Sequence, residues 1–533
     1  MFKRKIKLSL LCLAFFVVSC QSSSKQPNTQ MKIVKINLRN EPCSLDPRQV
    51  RDLSGQALMR MLFEGLTRIG PDDQPQLALA QSVEISEDLK SYQFTLKKSR
   101  WSNGQPVTAG DFIYSWQSSL DPASSVDYAF DLYILKNAKA IKDGKLPMEE
   151  LGVTAMDDQT LLIELEYPTP YFLELLAFPI FFPVNEGIDR EDPNWFYNSQ
   201  TYVSNGPFSL SSWRHHDLLV SEKNHFYWDA AHVELDGIEM TMVSDDTELK
   251  LFEKNQLHWA GSPLSSVPVD ALSHLKRKNQ LNIQGISGTA FIRVNTELAP
   301  LQNPKVRRAL ALAINRQALV THVMQGEQIP AMELLPPCLK LQEEGYFADG
   351  NTEESKELFA KGLKEMKITR EAFPTITFTY GANERNHMIA QAIQQQWHET
   401  LGIRVNLEAV ERKVYFDRVS KQDYQLAYGD WLADFNDPIN FLEVFKYKKQ
   451  STNNTNWENP IYARLLDRSY GVVEGAERDE LLKKCEGILM DAMPIIPIYH
   501  HSMLYLKDQH LDGVLITSLG HLDFRWAHFD GEK

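Results

Sequence analysis

The sequence has few cysteines, little positive charge and no second long hydrophobic run. Five cysteines occur among 533 residues, and no two are spaced as Cys-x-x-Cys, so neither a disulfide framework nor a zinc site is indicated. Beyond the N-terminal segment, no apolar stretch reaches the ~20 residues that a helix needs to span a bilayer. The net charge of −14 argues against nucleic acid or an anionic membrane surface as a partner. The length predicts two or three domains.

The short motifs of common enzymes are also missing from the sequence. It has no GxSxG, no phosphate-binding GxxxxGK[ST], no GxGxxG and no HExxH. The adjacent pairs His215-His216 and His500-His501 would point to opposite faces of a strand, which disfavours a shared metal. The 70 acidic residues show no spacing that selects a catalytic pair. We therefore expect a binding protein without metal or cofactor, and not an enzyme.

The N-terminus is typical of an exported protein. A basic start precedes an apolar stretch at residues 8–18, which is too short to span a bilayer, so residues 1–19 are predicted to be a signal peptide. Ser19-Cys20 resembles a bacterial lipobox, although the two valines before it depart from the common pattern. We expect a lipid on Cys20, with residues 20–30 as a tether to the cell envelope. The alternative is a plain signal peptide in which Cys20 is an ordinary residue.

Hydrophobic periodicity predicts a mixed α/β chain. Alternation predicts strands at 33–38, 91–98 and 160–165, and helical spacing predicts helices at 56–63 and 303–320. The segment 374–407 predicts strand, helix and strand, with Gly402 ending the helix. That order implies a parallel strand pair with a right-handed crossover. Such alternation over some 500 residues is typical of an α/β architecture with several lobes.

Four segments, in order, carry a family resemblance. They are WSNGQPVTAGDFIYSW at 101–116 with FEGLT upstream at 63–67, SNGPF at 204–208 with YWD at 227–229, VRRAL at 306–310 with AINR at 313–316, and GDWLADFNDP at 429–438. Together they resemble the family 5 extracellular solute-binding proteins, the peptide/nickel class. Within that class the chain resembles an oligopeptide-binding protein of an ABC importer.

The resemblance implies a two-lobed periplasmic-binding-protein fold of type II, cluster C-like, with an extra domain. Its expected division is lobe I at 31–66, 187–284 and 494–533, the extra domain at 67–186, and lobe II at 285–493. A short peptide would be captured in the cleft between the lobes by hinge closure. It would then pass to a membrane permease and its ATPase, and the receptor would act as a monomer.

Asp434 is the residue expected to hold the amino end of the ligand. It lies three positions after Trp431, where the family places a carboxylate that binds the peptide ammonium, and a charge-assisted bond suits that task. The alternative is that Asp434 caps a turn, since the segment after it is rich in turn-forming residues. Leu432 and Ala433 complete this predicted end of the site. Trp431 and Tyr128 are each either cleft walls or core residues.

The carboxylate end of the site departs from the family pattern. Tyr428 stands where relatives often have Arg, Val419 replaces another basic position, and Arg412 replaces a common Trp. Arg385 aligns with a His used by some relatives and could hold a carboxylate, or it could lie on a helix surface. Leu432 occupies one Cys position of the family's cleft disulfide, so that disulfide is not expected.

Other ligands and roles stay open from the sequence. The same fold could carry a murein peptide, haem or a nickel chelate, although Asp434 favours a ligand with an ammonium group. A surface lipoprotein acting as an adhesin or a sensor is the alternative from another class.

Overall fold

The computed structural model describes residues 31–50, 53–124, 126–325, 328–449, 452–472 and 475–531, apart from the side chains of Asp127, Tyr128 and Arg412. These residues form a mixed fold in which helices and strands are interspersed. The strands are β1 Ile33–Asn37, β2 Thr67–Ile69, β3 Pro75–Leu77, β4 Ala80–Ile85, β5 Ser91–Leu96, β6 Val153–Asp157, β7 Thr160–Glu164, β8 Phe208–Arg214, β9 Leu218–Lys223, β10 Gly237–Thr241, β11 Trp259–Gly261, β12 Asn282–Val294, β13 Ile329–Pro330, β14 Ile376–Gly381, β15 Val405–Val410, β16 Leu426–Leu432, β17 Ile495–Lys507, β18 Leu511–Asp512, β19 Leu515–Ile516, β20 Leu522–Asp523 and β21 His528–Phe529.

The α-helices pack on and between the sheets. They are α1 Leu53–Leu62, α2 Ala109–Leu120, α3 Ala138–Lys142, α4 Phe172–Leu175, α5 Glu186–Glu191, α6 Asp245–Glu253, α7 Val269–Arg277, α8 Pro304–Leu312, α9 Arg316–Ala318, α10 Thr352–Met366, α11 Glu384–Leu401, α12 Arg412–Ser420, α13 Ile439–Leu442, α14 Pro460–Tyr470 and α15 Ala476–Ala492. No helix in the described ranges is long and apolar enough to cross a membrane.

The largest sheet has seven strands. Its order is β11-β17-β12-β16-β14-β15, and β13 also pairs with β17. β12 lies antiparallel to both β16 and β17, whereas β14 is parallel to β15 and β16. The pairing of β14 with β16 covers only Leu426 and Ala427. Residues 428–432 therefore have an edge that no described strand covers.

The segment predicted as strand, helix and strand forms β14, α11 and β15. Ile376 pairs with Val405 in a parallel ladder, which confirms the predicted parallel strand pair. Ile389, Ile393 and Trp397 are buried on one face of α11. Gly402 ends α11 with φ of 68°, a left-handed backbone that glycine adopts without a steric penalty.

The signature segment 101–116 contributes to the fold by capping α2 and packing in the core. The Asp111 carboxylate accepts a hydrogen bond from the backbone N–H of Thr108 at 2.8 Å and one from its hydroxyl at 3.1 Å. These bonds fix the start of α2. Trp101, Phe112 and Trp116 are fully buried. α2 belongs to the same region as a four-stranded antiparallel sheet of order β4-β5-β7-β6.

The helix predicted over 303–320 is interrupted. Asn303 caps its start and Pro304 begins it, as predicted, but α8 ends at Leu312. Asn315 starts a new helix by accepting a hydrogen bond from the N–H of Ala318. The buried Arg316 guanidinium donates to carbonyls at the end of α8 and to Pro497 O. These competing bonds explain why the single-helix prediction was wrong.

The hydrophobic core is continuous over most of the described chain. The residues from Lys32 onward form one compact unit. The long strands β12 and β17 pair over most of their length, with a shift of register between Gly285 and Thr289. The predicted boundary between lobes I and II, at 284/285, falls beside this irregularity. The division into lobes and an extra domain stays a prediction.

Candidate functional site

A cavity of about 230 Å³ lies between three distant segments of the chain. The 3-10 helix Asp127–Ile134 contributes one wall, residues 167–181 a second, and residues 431–444 with Thr452 the third. Since no two of these segments are adjacent in sequence, the cavity exists only in the folded protein.

Asp434 lies in this cavity, two residues after the end of β16. The Asn440 side chain in α13 accepts a hydrogen bond from the Trp431 indole at 2.8 Å and one from the backbone N–H of Asp434 at 3.3 Å. The same side chain also bonds the Asp434 carboxylate. Asn440 therefore sets the positions of both Trp431 and Asp434.

Asp437 anchors the helix that carries Asn440. Its carboxylate accepts a hydrogen bond from the N–H of Ile439 at 2.8 Å. The buried Arg478 guanidinium donates two further bonds to it, at 2.7 and 2.9 Å. A bidentate pair of this kind is both strong and geometrically specific, so the loop from Asp434 to α13 is held firmly.

The electrostatics of Asp434 favour a cationic partner. Its side chain is open to water inside the cavity, while protein surrounds the cavity itself. The surrounding protein raises the pKa of Asp434 to about 6, although the hydrogen bond from Asn440 lowers it. Among the described side chains, none of the Lys, Arg or His residues forms an ion pair with Asp434. A carboxylate without an ion pair is stabilised when a cation enters the cavity.

Two further carboxylates line the cavity. Burial and the charge of Asp434 raise the pKa of Asp131 to about 8. Burial also raises the pKa of Glu443, to about 7, although the Tyr470 hydroxyl donates to it at 2.9 Å and Lys446 opposes the shift. The cavity is therefore strongly acidic.

The remaining walls of the cavity are mainly aromatic. The rings of Tyr171 and Phe435 stack with centroids 4.1 Å apart and planes within 3°. Phe178 and Phe181 add further apolar surface. Aromatic faces attract cations as well as apolar groups. The arrangement suits a ligand that combines an ammonium group with an apolar or amphipathic body.

Only two of the predicted binding residues line this cavity in the part of the chain that is described: Asp434 and Trp431. Ala433 donates its backbone N–H to Ser287 O at 2.7 Å, which joins it to β12. Leu432 is 44% exposed and does not line the cavity. The structure therefore brings together the predicted amino end of the site.

Tyr428 and Arg385 lie apart from the cavity. In a strand, Tyr428 and Trp431 point to opposite faces, and the Tyr428 hydroxyl is 2.8 Å from that of Tyr499. Arg385 is exposed in the first turn of α11. Its charge opposes the burial that raises the pKa of Tyr428. These residues define a second polar group on the other face of β16, near the Asp430–His501 pair.

Three predicted residues lie outside what the structure describes. They are Cys20 and the side chains of Tyr128 and Arg412. Their predicted roles stay predictions.

Sequence reasoning missed Asp131, Asn440 and Glu443. Asn440 and Glu443 follow the GDWLADFNDP segment closely, so their proximity to Asp434 along the chain was an available signal. Asp131 is some 300 positions earlier, and no pattern links it to Asp434. Only the tertiary fold brings Asp131 and Asp434 into the same cavity.

One group of side chains has the composition of a metal site. Asp512, His528 and Asp530 could offer ligand atoms to one ion. The two carboxylates are exposed, and Lys507 pairs with Asp512 at 3.3 Å. Exposed groups of this kind carry no assignment by themselves.

The fold and the cavity together define a solute-binding protein, and the chain belongs to the bacterial extracellular solute-binding proteins, family 5, whose model matches residues 74–453. It is 41% identical over 529 residues to the oligopeptide-binding protein OppA of Bacillus subtilis, across 98% of this chain and 97% of the relative. These matches confirm the family and the α/β fold predicted from the sequence. The family consists of solute-binding proteins and not of enzymes.

Two solved structures resemble the chain over nearly its full length. The unliganded open form of the murein tripeptide binding protein MppA has a TM-score of 0.82 at 27% identity, covering 94% of this chain and 98% of that chain. Listeria monocytogenes OppA bound to peptide has a TM-score of 0.72 at 28% identity, covering 95% and 100%.

Proposed function

We propose that this protein captures short peptides outside the cytoplasm and delivers them to the permease and ATPase of an ABC importer. The observation that carries the proposal is Asp434, a carboxylate without a described cationic partner in an enclosed aromatic cavity. The relatives named oligopeptide-binding proteins support it.

The ammonium of the peptide would bind to Asp434. A peptide of any sequence presents a free ammonium, so one fixed carboxylate recognises every member of the class. The charge-assisted bond forms in a site shielded from bulk water, where it is stronger than at a surface. Peptides with a blocked amino end would leave Asp434 without a partner.

The peptide backbone would pair with the open edge of β16. Residues 428–432 have one side that β14 does not cover. The Tyr415 hydroxyl donates to Tyr428 O and the Arg293 guanidinium donates to Asp430 O, so the part left for a peptide is the end of the strand at Trp431 and Leu432, next to Asp434. An extended peptide added to a strand edge gains main-chain hydrogen bonds that do not depend on its sequence. The edge and the carboxylate together would fix both the direction and the register of the ligand.

Closure of two lobes would then enclose the peptide. In this proposal, β12 and β17 are the strands along which the two lobes join, with the irregular pairing near Gly285 as the flexible point. The receptor would work as a monomer held to the envelope by a lipid on Cys20. Intact-mass measurement of the exported protein tests the anchor, since a free thiol at Cys20 would refute it.

A murein peptide is the second candidate ligand. This candidate rests on the likeness to the murein tripeptide binding protein MppA, at 27% identity. Mass spectrometry of ligand that co-purifies with the protein distinguishes the two, because a mixture of linear peptides and a cell-wall peptide differ in composition.

The test of the main proposal is Asp434→Asn measured by isothermal titration calorimetry with an alanine peptide. We expect affinity to fall by at least ~30-fold, since loss of one partner of an enclosed charge pair costs about 2–5 kcal/mol. An N-acetylated peptide should bind the unaltered protein as weakly.

Asp417→Asn is the matched control. Asp417 is exposed in α12, pairs with Lys421 at 2.8 Å and does not line the cavity. It should leave affinity unchanged. Equal affinity of Asp434→Asn and the unaltered protein would refute the assignment.

A further inference from the structure

We propose that the cavity also holds the first side chain of the peptide, and that Asp131 makes this position selective for lysine or arginine. This inference rests on the proposed function, because it assumes that Asp434 binds the ammonium. It assigns a substrate preference to a residue that the sequence did not single out.

The first observation is a pair of carboxyl groups that have no cationic partner in the described part of the chain. Asp131 and Asp434 come from distant segments yet line the same cavity, and the charge of Asp434 acts on Asp131. Within the described chain, neither forms an ion pair with Lys, Arg or His. One peptide ammonium can pair with only one of them. A second cation on the ligand would favour the ionised form of the other carboxyl group and pair with it.

The second observation is that the third carboxylate is already compensated in part. Glu443 accepts a hydrogen bond from the Tyr470 hydroxyl at 2.9 Å. Lys446 adds a positive charge nearby, and its ammonium is 4.9 Å from the centre of the Tyr470 ring. Asp131 has neither kind of support among the described residues. A ligand cation therefore gains more at Asp131 than at Glu443.

The third observation is the shape and chemistry of the walls. Around Asp131 the cavity is lined by Phe130, Tyr133, Tyr171 and Phe178. Lysine and arginine combine an apolar stem with a cationic head, and both heads favour aromatic faces. The volume of about 230 Å³ is many times the ~10–15 Å³ that one water molecule needs on the same measure. A long side chain can therefore enter together with the ammonium.

The same charges should reject acidic residues at the first position. A ligand carboxylate placed beside Asp131 and Asp434 would meet like charges in an enclosed site, which is unfavourable. Discrimination at this position would thus combine attraction of one class with repulsion of another.

The experiment is a double-mutant cycle between protein and peptide. The protein is unaltered or Asp131→Asn, and the peptide begins with lysine or with the uncharged analogue norleucine. Both are followed by alanines at the length that the unaltered protein binds most tightly. Calorimetry gives the four affinities, and thermal melts confirm that each variant is folded.

We expect the unaltered protein to prefer the lysine peptide by ~10- to 100-fold, the range for a hydrogen bond to a charged group. In Asp131→Asn the two peptides should bind about equally, with the norleucine affinity unchanged. Asp143→Asn is the matched control, because Asp143 is on the surface and pairs with Lys139 and Lys145. It should keep the full preference.

Two results would overturn the inference. If Asp131→Asn keeps the preference for lysine, Asp131 does not bind that side chain. If it weakens both peptides equally, Asp131 belongs to the ammonium site. Failure of the proposed function gives a different result. If Asp434 does not bind the ammonium, Asp434→Asn will bind both peptides as tightly as the unaltered protein does, whatever the ratio of the lysine and norleucine affinities.

Discussion

At the residue scale, aspartates in and near the cavity differ in whether they have a cationic partner. This difference distinguishes the aspartates expected to bind ligand from those expected to stabilise the fold. Asp437 has a bidentate partner in Arg478, and Asp430 has His501. Asp131 and Asp434 have no such partner among the described residues. Carboxyl groups that protein surrounds without a cationic partner ionise less readily, and their pKa values rise. Residues with pKa values raised in this way are candidates for function, because a ligand cation can pair with them.

Asp131→Asn should change how the stability of the unliganded protein depends on pH. The pKa of Asp131 is raised to about 8 by burial and by Asp434, so the folded state holds the proton more tightly than the unfolded state. The stabilisation from that proton is present at low pH and is lost as pH rises through about 8. The asparagine variant lacks this one contribution, while the other titrating groups act in both proteins.

The measurement is the melting temperature of both proteins between about pH 5 and pH 9. The melting temperature of the variant, relative to that of the unaltered protein, should increase as pH rises, by roughly 2–5 °C at the alkaline end. The other ionisable groups that line the cavity are Asp434, Glu443, Tyr133, Tyr167 and Tyr171, and they remain in both proteins. Parallel curves for the two proteins would contradict the prediction.

At the same scale, the sequence predicted one of the two decisive carboxylates. Asp434 stands in a recognisable segment, three positions after Trp431. Asp131 is one of 70 acidic residues, and its partner in the cavity is about 300 positions away. Proximity that arises from tertiary folding leaves no local spacing to detect.

At the scale of elements, the loop between β16 and α13 depends on one buried ion pair. Asp437 and Arg478 expose only 6% and 4% of their side chains. Arg478 lies in α15, so the pair ties α15 to the start of α13. Through Asn440 it also supports the position of Asp434.

Arg478→Met should destabilise the protein by about 3–5 kcal/mol, because it leaves the Asp437 charge buried without compensation. Urea denaturation measures the change. The double variant Asp437→Asn/Arg478→Met should recover part of the loss, since no unpaired charge remains.

The control for this prediction is Arg468→Met. Arg468 and Glu477 form an exposed pair at 3.9 Å, and exposed pairs contribute about 0–1 kcal/mol. A loss in Arg478→Met no larger than in Arg468→Met would show that the buried pair is not an anchor.

Element prediction succeeded where periodicity and end signals agreed. β14, α11 and β15 match the predicted unit, with Gly402 at the helix end. The helix predicted over 303–320 failed because Arg316 bonds carbonyls of the preceding turn and Asn315 caps a new helix. Long-range bonds of a buried arginine do not appear in a hydrophobic pattern.

At the scale of the whole molecule, the cavity joins parts of the chain that belong to different sheets. The segment 127–181 is continuous with the four-stranded sheet, and β16 belongs to the seven-stranded sheet. The sequence predicted the α/β class and the family, and both are confirmed. The lobe boundaries were predicted only from the family resemblance. The hydrophobic pattern of β12 and β17 does not show where one lobe would end and the next begin.

Because the walls of the cavity come from these separate regions, peptide binding should stabilise the whole molecule and not one region. At a free peptide concentration of ~100 times the dissociation constant, we expect the free energy of unfolding to rise by about 2.7 kcal/mol. Differential scanning calorimetry should show the entire unfolding transition moving to higher temperature. Asp434→Asn under the same peptide concentration should show little shift, because its affinity is lower. A trace with two transitions, of which only one responds to peptide, would mean that the cavity does not couple the two sheets.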